Sequence, residues 1–352
     1  METQKQQLNL AIVGLGGMGN WHRETIAKND KLKVCGSFDI NPARQQFARD
    51  HGITPYTSFE AILADPQVDI VLCATPNDVH RDIVVRSLQA GKNVVCEKPV
   101  AMSSADLQAM IDAAKQSGKL FTVHQNRRWD EDFLTMKSIF NQKLLGEVFR
   151  IESRIHGSRG IPGDWRNTKE HGGGMVLDWG VHIIDQIFMM VPGKVKKVYA
   201  TISNVTNELV DDGFDAELTF DNGIHVLLEV GTSNFISLPR WYMLGRDGTA
   251  IIRDWSLTGE MVRITDWSKN DAVPIRTAAG LTKTMAPRTK DTIKTQPLPT
   301  VHADIKDFYN NVVATIKGEA TSLITHDQLM RVMKLMEAIF EASEKQQVID
   351  FE

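Results

Sequence analysis

Residues 14–19 read Gly14-Leu15-Gly16-Gly17-Met18-Gly19, between the apolar run Leu8 to Gly14 and an amphipathic stretch from Met18 to Asn29. A strand that passes through spaced glycines straight into a helix admits few folds. Gly14 permits a tight turn, Gly16 with its neighbours Gly17 and Met18 lets backbone N–H groups approach a pyrophosphate, and Gly19 allows helix and strand to pack closely. The helix N-terminus adds the positive end of its dipole. A glycine turn without a ligand is the plain alternative, and the flanking strand and helix speak against it. Asp39 follows 25 positions after Gly14 (39 − 14), near the ~20-residue offset at which a carboxylate accepts the hydroxyls of an adenosine ribose. With Ile40 beside it, Asp39 favours NAD, because a carboxylate repels a 2′-phosphate. Arg44 in the next helix tolerates that phosphate and keeps NADP open.

The same rhythm continues. Lys33 to Asp39, Asp69 to Cys73, Asn93 to Cys96 and Leu120 to His124 read as further strands. Pro42 to Asp50, Asp78 to Ala90 and Ala105 to Ser117 read as helices, with Asn41, Asn77 and Ser104 as N-caps and Gly91 and Gly118 as stops. Buried runs alternating with crossover helices predict an α/β Rossmann domain, a doubly wound parallel sheet, over residues 1–124. Ligands of such sheets lie outside the carboxyl ends of the strands, so the loops carrying Thr75, Pro76 and Asn77, then Glu97 and Lys98, then Gln125, are expected to line the cofactor site. His80 reads equally as a cofactor contact or as a helix-capping residue.

Past a helix at about 130–141 the pattern changes. Val148 to His156, Val195 to Ile202, Asp215 to Phe220, Ile224 to Gly231, Trp241 to Gly245, Thr249 to Arg253 and Met261 to Thr265 are strands in direct succession, joined by hairpin signals such as Asp221-Asn222-Gly223. One helix, Val176 to Met190, interrupts them, and two more, His302 to Ile316 and His326 to Lys345, precede a short strand, Val348 to Phe351. Residues 125–352 are therefore expected to form an α+β domain with a large, mainly antiparallel sheet. Residues 268–300 hold four prolines and six Lys/Arg against Asp271 and Asp291. They read as a solvated loop, a lid or a subunit-contact arm.

Composition narrows the function classes. In 352 residues, 40 Lys+Arg stand against 44 Asp+Glu with 42% hydrophobic residues, which excludes a disordered chain and disfavours a nucleic-acid partner. The N-terminal apolar run is too short for a secretory or membrane segment, so no membrane partner and a cytoplasmic location are expected. Cys35, Cys73 and Cys96 lie far apart in β-like runs, as reduced core thiols do. No metal site is expected.

Chemistry enters at Gly172-Gly173-Gly174 and the helix behind it, where Asp178, His182 and Asp185 fall at i, i+4 and i+7 opposite Val176, Ile183, Ile184 and Ile187. A histidine held by a carboxylate one turn away suits general-base work near neutral pH, although a helical Asp–His pair is also an ordinary hydrogen bond.

The glycine turn, Glu97-Lys98-Pro99 and the run Gly172 to Asp185, in this order, resemble the glucose–fructose oxidoreductase / inositol dehydrogenase / MocA family over essentially the whole chain. The segment His124 to Trp129 looks like that of polyol and scyllo-inositol dehydrogenase members. The resemblance implies a nicotinamide-dependent dehydrogenase acting on a cyclic polyol, sugar or glycoside. Lys98 is then near nicotinamide and substrate, with the bond before Pro99 often cis. Asp178 hydrogen-bonds substrate, His182 is the acid/base, and Trp165 and Arg166 border both ligands. Chemically, His182 takes the hydroxyl proton, Lys98 stabilises the alkoxide, and Asp178 orients the imidazole or a hydroxyl, while Asn126, Arg127, Trp165 and Arg166 supply hydrogen bonds and a stacking face. Other readings are a glycosidase that oxidises and re-reduces its sugar, a non-catalytic NAD-sensing regulator, and a metal hydrolase built on Asp178 and His182. The broad second sheet and the family's habit of pairing imply a homo-dimer or homo-tetramer.

Overall fold

In the computed structural model the described residues are 7–269 and 273–352, so Asp271 of the basic stretch lies outside them. The first half alternates β1 (Leu8–Val13), α1 (Gly17–Ile26), β2 (Leu32–Phe38), α2 (Pro42–Asp50), β3 (Thr54–Pro55), α3 (Phe59–Ala64), β4 (Ile70–Cys73), α4 (His80–Gln89), β5 (Asn93–Cys96), α5 (Ser104–Ser117) and β6 (Phe121–Val123). The strands form a parallel sheet ordered β3-β2-β1-β4-β5-β6. β4 is buried on both faces, which is why it reads as an unbroken apolar run. The order reverses between β1 and β4, and there the strand ends part to leave a crevice.

Two short elements escape the sequence pattern. β3 pairs with β2 over two residues, and α3 is one and a half turns started by Ser58, whose side chain accepts from the Ala61 N–H. The cap of α5 is Ser103, one residue earlier than expected. Asn77 caps nothing; its side chain reaches the Gly172 carbonyl at 2.9 Å.

The second half contains α6 (Glu131–Asn141), β7 (Val148–His156), α7 (Val181–Met190), β8 (Val195–Ser203), β9 (Gly213–Phe220), β10 (His225–Gly231), β11 (Trp241–Gly245), β12 (Gly248–Ile252), β13 (Gly259–Ile264), β14 (Ile275–Thr277), β15 (Gly280–Thr282), β16 (Ile293–Gln296), α8 (Lys306–Ile316), α9 (His326–Lys345) and β17 (Ile349–Asp350). Nine strands form one sheet, β16-β13-β12-β11-β7-β10-β9-β8-β17. It is antiparallel except where β7 and β10 run side by side in parallel. The basic stretch is only partly a loop: β14 and β15 make a hairpin, and β16 adds an edge strand to β13. Edge strands this short carry no periodicity.

The helix expected from Val176 to Met190 is divided. Val176–Gly180 forms a π-helical turn, and α7 begins at Val181. Such turns change the phase of a helix face and recur at functional sites. The first sheet ends one residue before position 124, yet the C-terminal helices lie against the first half. Tyr309 of α8 meets His22 at 2.7 Å, Glu337 of α9 accepts the Ser104 N–H at 2.7 Å, and His326 contacts the Phe121 carbonyl at 3.0 Å. No helix among the described residues is long and apolar enough to cross a membrane.

Candidate active site

At the reversal point lies a cleft of about 840 Å³ lined by Gly14, Gly16, Gly17, Met18, Asp39, Ile40, Thr75, Pro76, Asn77, Glu97, Lys98, Trp165 and Arg166. The glycines act differently. Gly14 has φ +89°, and a Cβ there would meet the Ala74 carbonyl oxygen at 2.5 Å; at Gly19 a Cβ would meet the Gly14 oxygen at 2.0 Å. Both are needed for close backbone packing. Gly16 and Gly17 would place a Cβ in open space, so their backbone faces the cleft and admits a ligand. Asp39 Oδ2 accepts the Leu15 N–H at 2.7 Å and Oδ1 accepts that of Asn41 at 2.8 Å. One carboxylate therefore locks the glycine turn to the end of β2.

Phe38, Phe59, Asp78, Asp82, Asp164 and His171 also line the cleft and were not expected there. Phe38 ends β2 and Phe59 opens α3, while Asp78, Asp82, Asp164 and His171 come from loop and helix positions that carry no motif. Gly19, Arg44, His80 and Gln125 are not part of the lining. Arg44 is exposed on α2. His80 is buried, with its ring nitrogens on the Pro99 and Thr75 carbonyls at 3.1 and 3.0 Å, so it fixes two cleft loops from behind.

A second cavity of about 420 Å³ adjoins the cleft; Asp178, Trp179, His156, Arg159 and Trp255 line it, and Arg166 lines both. Lys98 Nζ donates to Asp178 Oδ1 at 2.8 Å and to the Asp178 carbonyl at 2.9 Å, and Arg166 Nε lies 3.4 Å from Oδ2. The Lys98–Pro99 peptide is cis. Burial by itself raises the Asp178 carboxyl, but Lys98 and Arg166 overcome it and hold the group below the usual carboxylate range. The expected Asp178–His182 partnership is thus not made: both carboxylate oxygens face cations, because the π-helical turn rotates Asp178 away from the stripe. Asp185 leaves the stripe too, pairing with Arg128 at 2.6 and 2.7 Å.

His182 is buried, and its Nδ1 has no hydrogen-bond partner among the described residues. Burial, then the charges of Lys98 and Arg127, push its pKa well below 6.5, leaving a neutral imidazole at neutral pH. It sits just behind the cavity walls, with Trp179 edge-on at 5.7 Å. Asn126 and Arg127 also lie behind the wall. Asn126 Oδ1, Arg127 Nε and Gln125 Oε1 are buried without partners, and the Arg127 guanidinium stacks over Trp179 at 4.3 Å.

Beneath Lys98, Glu97 Oε1 meets His22 Nε2 at 2.6 Å and His124 Nδ1 at 2.8 Å, while Oε2 accepts the Lys98 N–H at 3.1 Å. Burial opposes ionisation, but His124 and His22 hold Glu97 well below the usual range. The fold also corrects the separation of the thiols. Cys73 and Cys96 are register partners at the ends of β4 and β5, and with His80 they bring three donor atoms within 4.8 Å of one another. Sequence distance hides this, because adjacent parallel strands are joined by a whole helix.

A doubly wound sheet with a glycine-turn cleft, joined through a lysine–carboxylate bridge to a second cavity with a neutral histidine behind its wall, defines a nicotinamide-dinucleotide oxidoreductase. Residues 8–125 match the oxidoreductase family with the NAD-binding Rossmann fold, and residues 133–251 match the GFO/IDH/MocA C-terminal domain. The chain belongs to the Gfo/Idh/MocA family of NAD(P)-dependent oxidoreductases. An NAD-binding protein from Listeria innocua of known structure is 49% identical, with a TM-score of 0.96, covering 98% of this chain and 100% of that one. The scyllo-inositol 2-dehydrogenase (NADP(+)) of Bacillus subtilis is 28% identical over 83% of this chain and 82% of its own. An inositol 2-dehydrogenase/D-chiro-inositol 3-dehydrogenase of Lactiplantibacillus plantarum is 26% identical over 63% and 64%.

Proposed function

We propose that the protein oxidises a secondary alcohol of a cyclic polyol, sugar or glycoside, with NAD preferred over NADP. The observation that carries this reading is the Lys98–Asp178 bridge, which joins cofactor cleft to second cavity beside a neutral His182 whose Nδ1 has no partner among the described residues. The residues present fit a dinucleotide: open backbone at Gly16 and Gly17 meets the N-terminus of α1, and Asp39 stands at the far end of β2. Nicotinamide, when bound, supplies the hydride acceptor. His182 takes the hydroxyl proton, Lys98 places a positive charge where the alkoxide develops, and Asp178 fixes the ammonium while offering an acceptor to a neighbouring hydroxyl. Trp165 and Arg166 close the site between the two cavities. Gln125, Asn126 and Arg127 stand behind the walls, Arg127 backing Trp179 and Trp255. Distant inositol dehydrogenase relatives support the substrate class.

Screening NAD and NADP reduction against inositols, aldoses and glycosides tests the reading. Net NADH formation with one of them supports it; cleavage of a glycoside without net NADH points to a redox-neutral glycosidase. We further propose a homo-oligomer built through the second sheet, whose half carries exposed Phe149, Tyr199, Phe235 and Ile236. Light scattering at micromolar concentration checks this, a 39.4 kDa monomer being the contrary result.

A further inference from the structure

Trp255 is held firmly yet left open. It sits in the turn between β12 and β13, where Asp254 Oδ1 accepts the Ser256 N–H at 2.9 Å and Oδ2 accepts the Thr258 hydroxyl at 2.6 Å. Leu257 takes a left-handed backbone with φ 61°, a conformation that costs a branched side chain energy and persists only where its surroundings enforce it. The guanidinium carbons of Arg127 and Arg240 each lie 5.3 Å from the Trp255 ring centre, and Trp179 lies 6.1 Å away. Despite this grip the residue is 53% exposed and forms part of the wall of the second cavity. Asp178 and Arg166 line the same cavity, and Arg166 also lines the adjoining cleft.

A cavity that combines flat aromatic surface with charged side chains matches a ligand with an apolar face and a hydroxylated edge. Cyclic sugars and cyclitols have this shape: their ring C–H bonds form a face, and their hydroxyls project from the rim. An acyclic polyol has the hydroxyls without the face. We infer that Trp255, backed by Trp179, is a stacking wall that selects ring-shaped polyhydroxylated substrates over open-chain ones. This rests on the proposed alcohol oxidation for what happens at Asp178, but binding alone can test it.

The experiment compares myo-inositol and methyl glucoside with sorbitol, using the NAD-loaded protein, by calorimetry and by steady-state kinetics. Trp255→Ala is expected to weaken binding of the preferred ring by about 3- to 10-fold, the range of an aromatic stacking contact. The rise should fall on KM more than on kcat, the mark of binding used equally in ground and transition states. Sorbitol affinity should stay as it was, and Trp255→Phe should restore most of the ring affinity. Equal loss for sorbitol, or no loss for the ring, overturns the inference. If no substrate is turned over, the proposed reaction fails while the calorimetric contrast still decides the wall; if all are turned over and the contrast is missing, only the wall fails.

Discussion

The glycine-turn cleft and the Lys98–Asp178 centre lie side by side but are built by different means. The floor of the cleft is largely backbone, a glycine turn, a helix N-terminus and strand ends, each formed by residues next to one another in the chain. The Lys98–Asp178 centre beside it is made of side chains brought from the loop after β5, the loop at Trp165, the π-helical turn and α7. Local backbone geometry can be read from residue spacing. Convergence of distant side chains cannot, because it depends on how two sheets pack.

If that contrast holds, damage around the Lys98–Asp178 centre should impair turnover and spare cofactor affinity. His182→Ala is expected to lower kcat by roughly 10²- to 10⁴-fold with the NAD dissociation constant nearly unchanged; wild-type turnover in this variant would pass the role of base to Lys98. The converse applies in the cleft. Gly19→Ala drives a Cβ against the Gly14 oxygen and should destabilise the fold by about 1–3 kcal/mol, read as a fall in Tm. Gly17→Ala meets nothing in the free protein and should leave Tm in place while weakening cofactor binding. Equal Tm losses in the two variants would break the distinction between packing glycine and ligand-facing glycine.

Smaller effects sharpen the comparison. Asp39→Asn removes the charge proposed to face the ribose and should relax the proposed NAD preference by about tenfold, ~1.4 kcal/mol; the ratio of NAD to NADP dissociation constants measures it. The pH profile of kcat/KM gives the finest test. A base must be unprotonated to act, and His182 is held well below 6.5, so the rate should be flat through pH 6.5 and fall only at lower pH. Lys98 is one cause of the lowering, so in Lys98→Met the residual activity should lose its acid limb at higher pH than in the wild type. A limb that stays put would remove Lys98 from the electrostatics of the imidazole.

Much of the first half was legible because each strand and crossover helix carries its own period. The Pro42–Asp50 helix begins behind its Asn41 cap as expected. Lys98 and Asp178 were also named from the sequence, and the fold brings them together at 2.8 Å. Their wiring was not legible: a single extra residue in the π-helical turn redirects Asp178, and helical spacing assumes a regular helix. The short elements β3, α3 and β16 were missed because two to six residues cannot establish a period.

The sequence by itself determined the parallel sheet, the glycine turn and the mainly antiparallel second sheet, since these follow from local periodicity and turn chemistry. Only the tertiary structure decided that Asp178 pairs with Lys98 and Arg166, that Asp185 pairs with Arg128, and that Cys73 meets Cys96. It also decided that α8 seals onto α1 through Tyr309 and His22, and that Trp255 stands over the second cavity. Each of these joins residues far apart in the chain, and their meeting is fixed by sheet register and helix packing rather than by any local pattern.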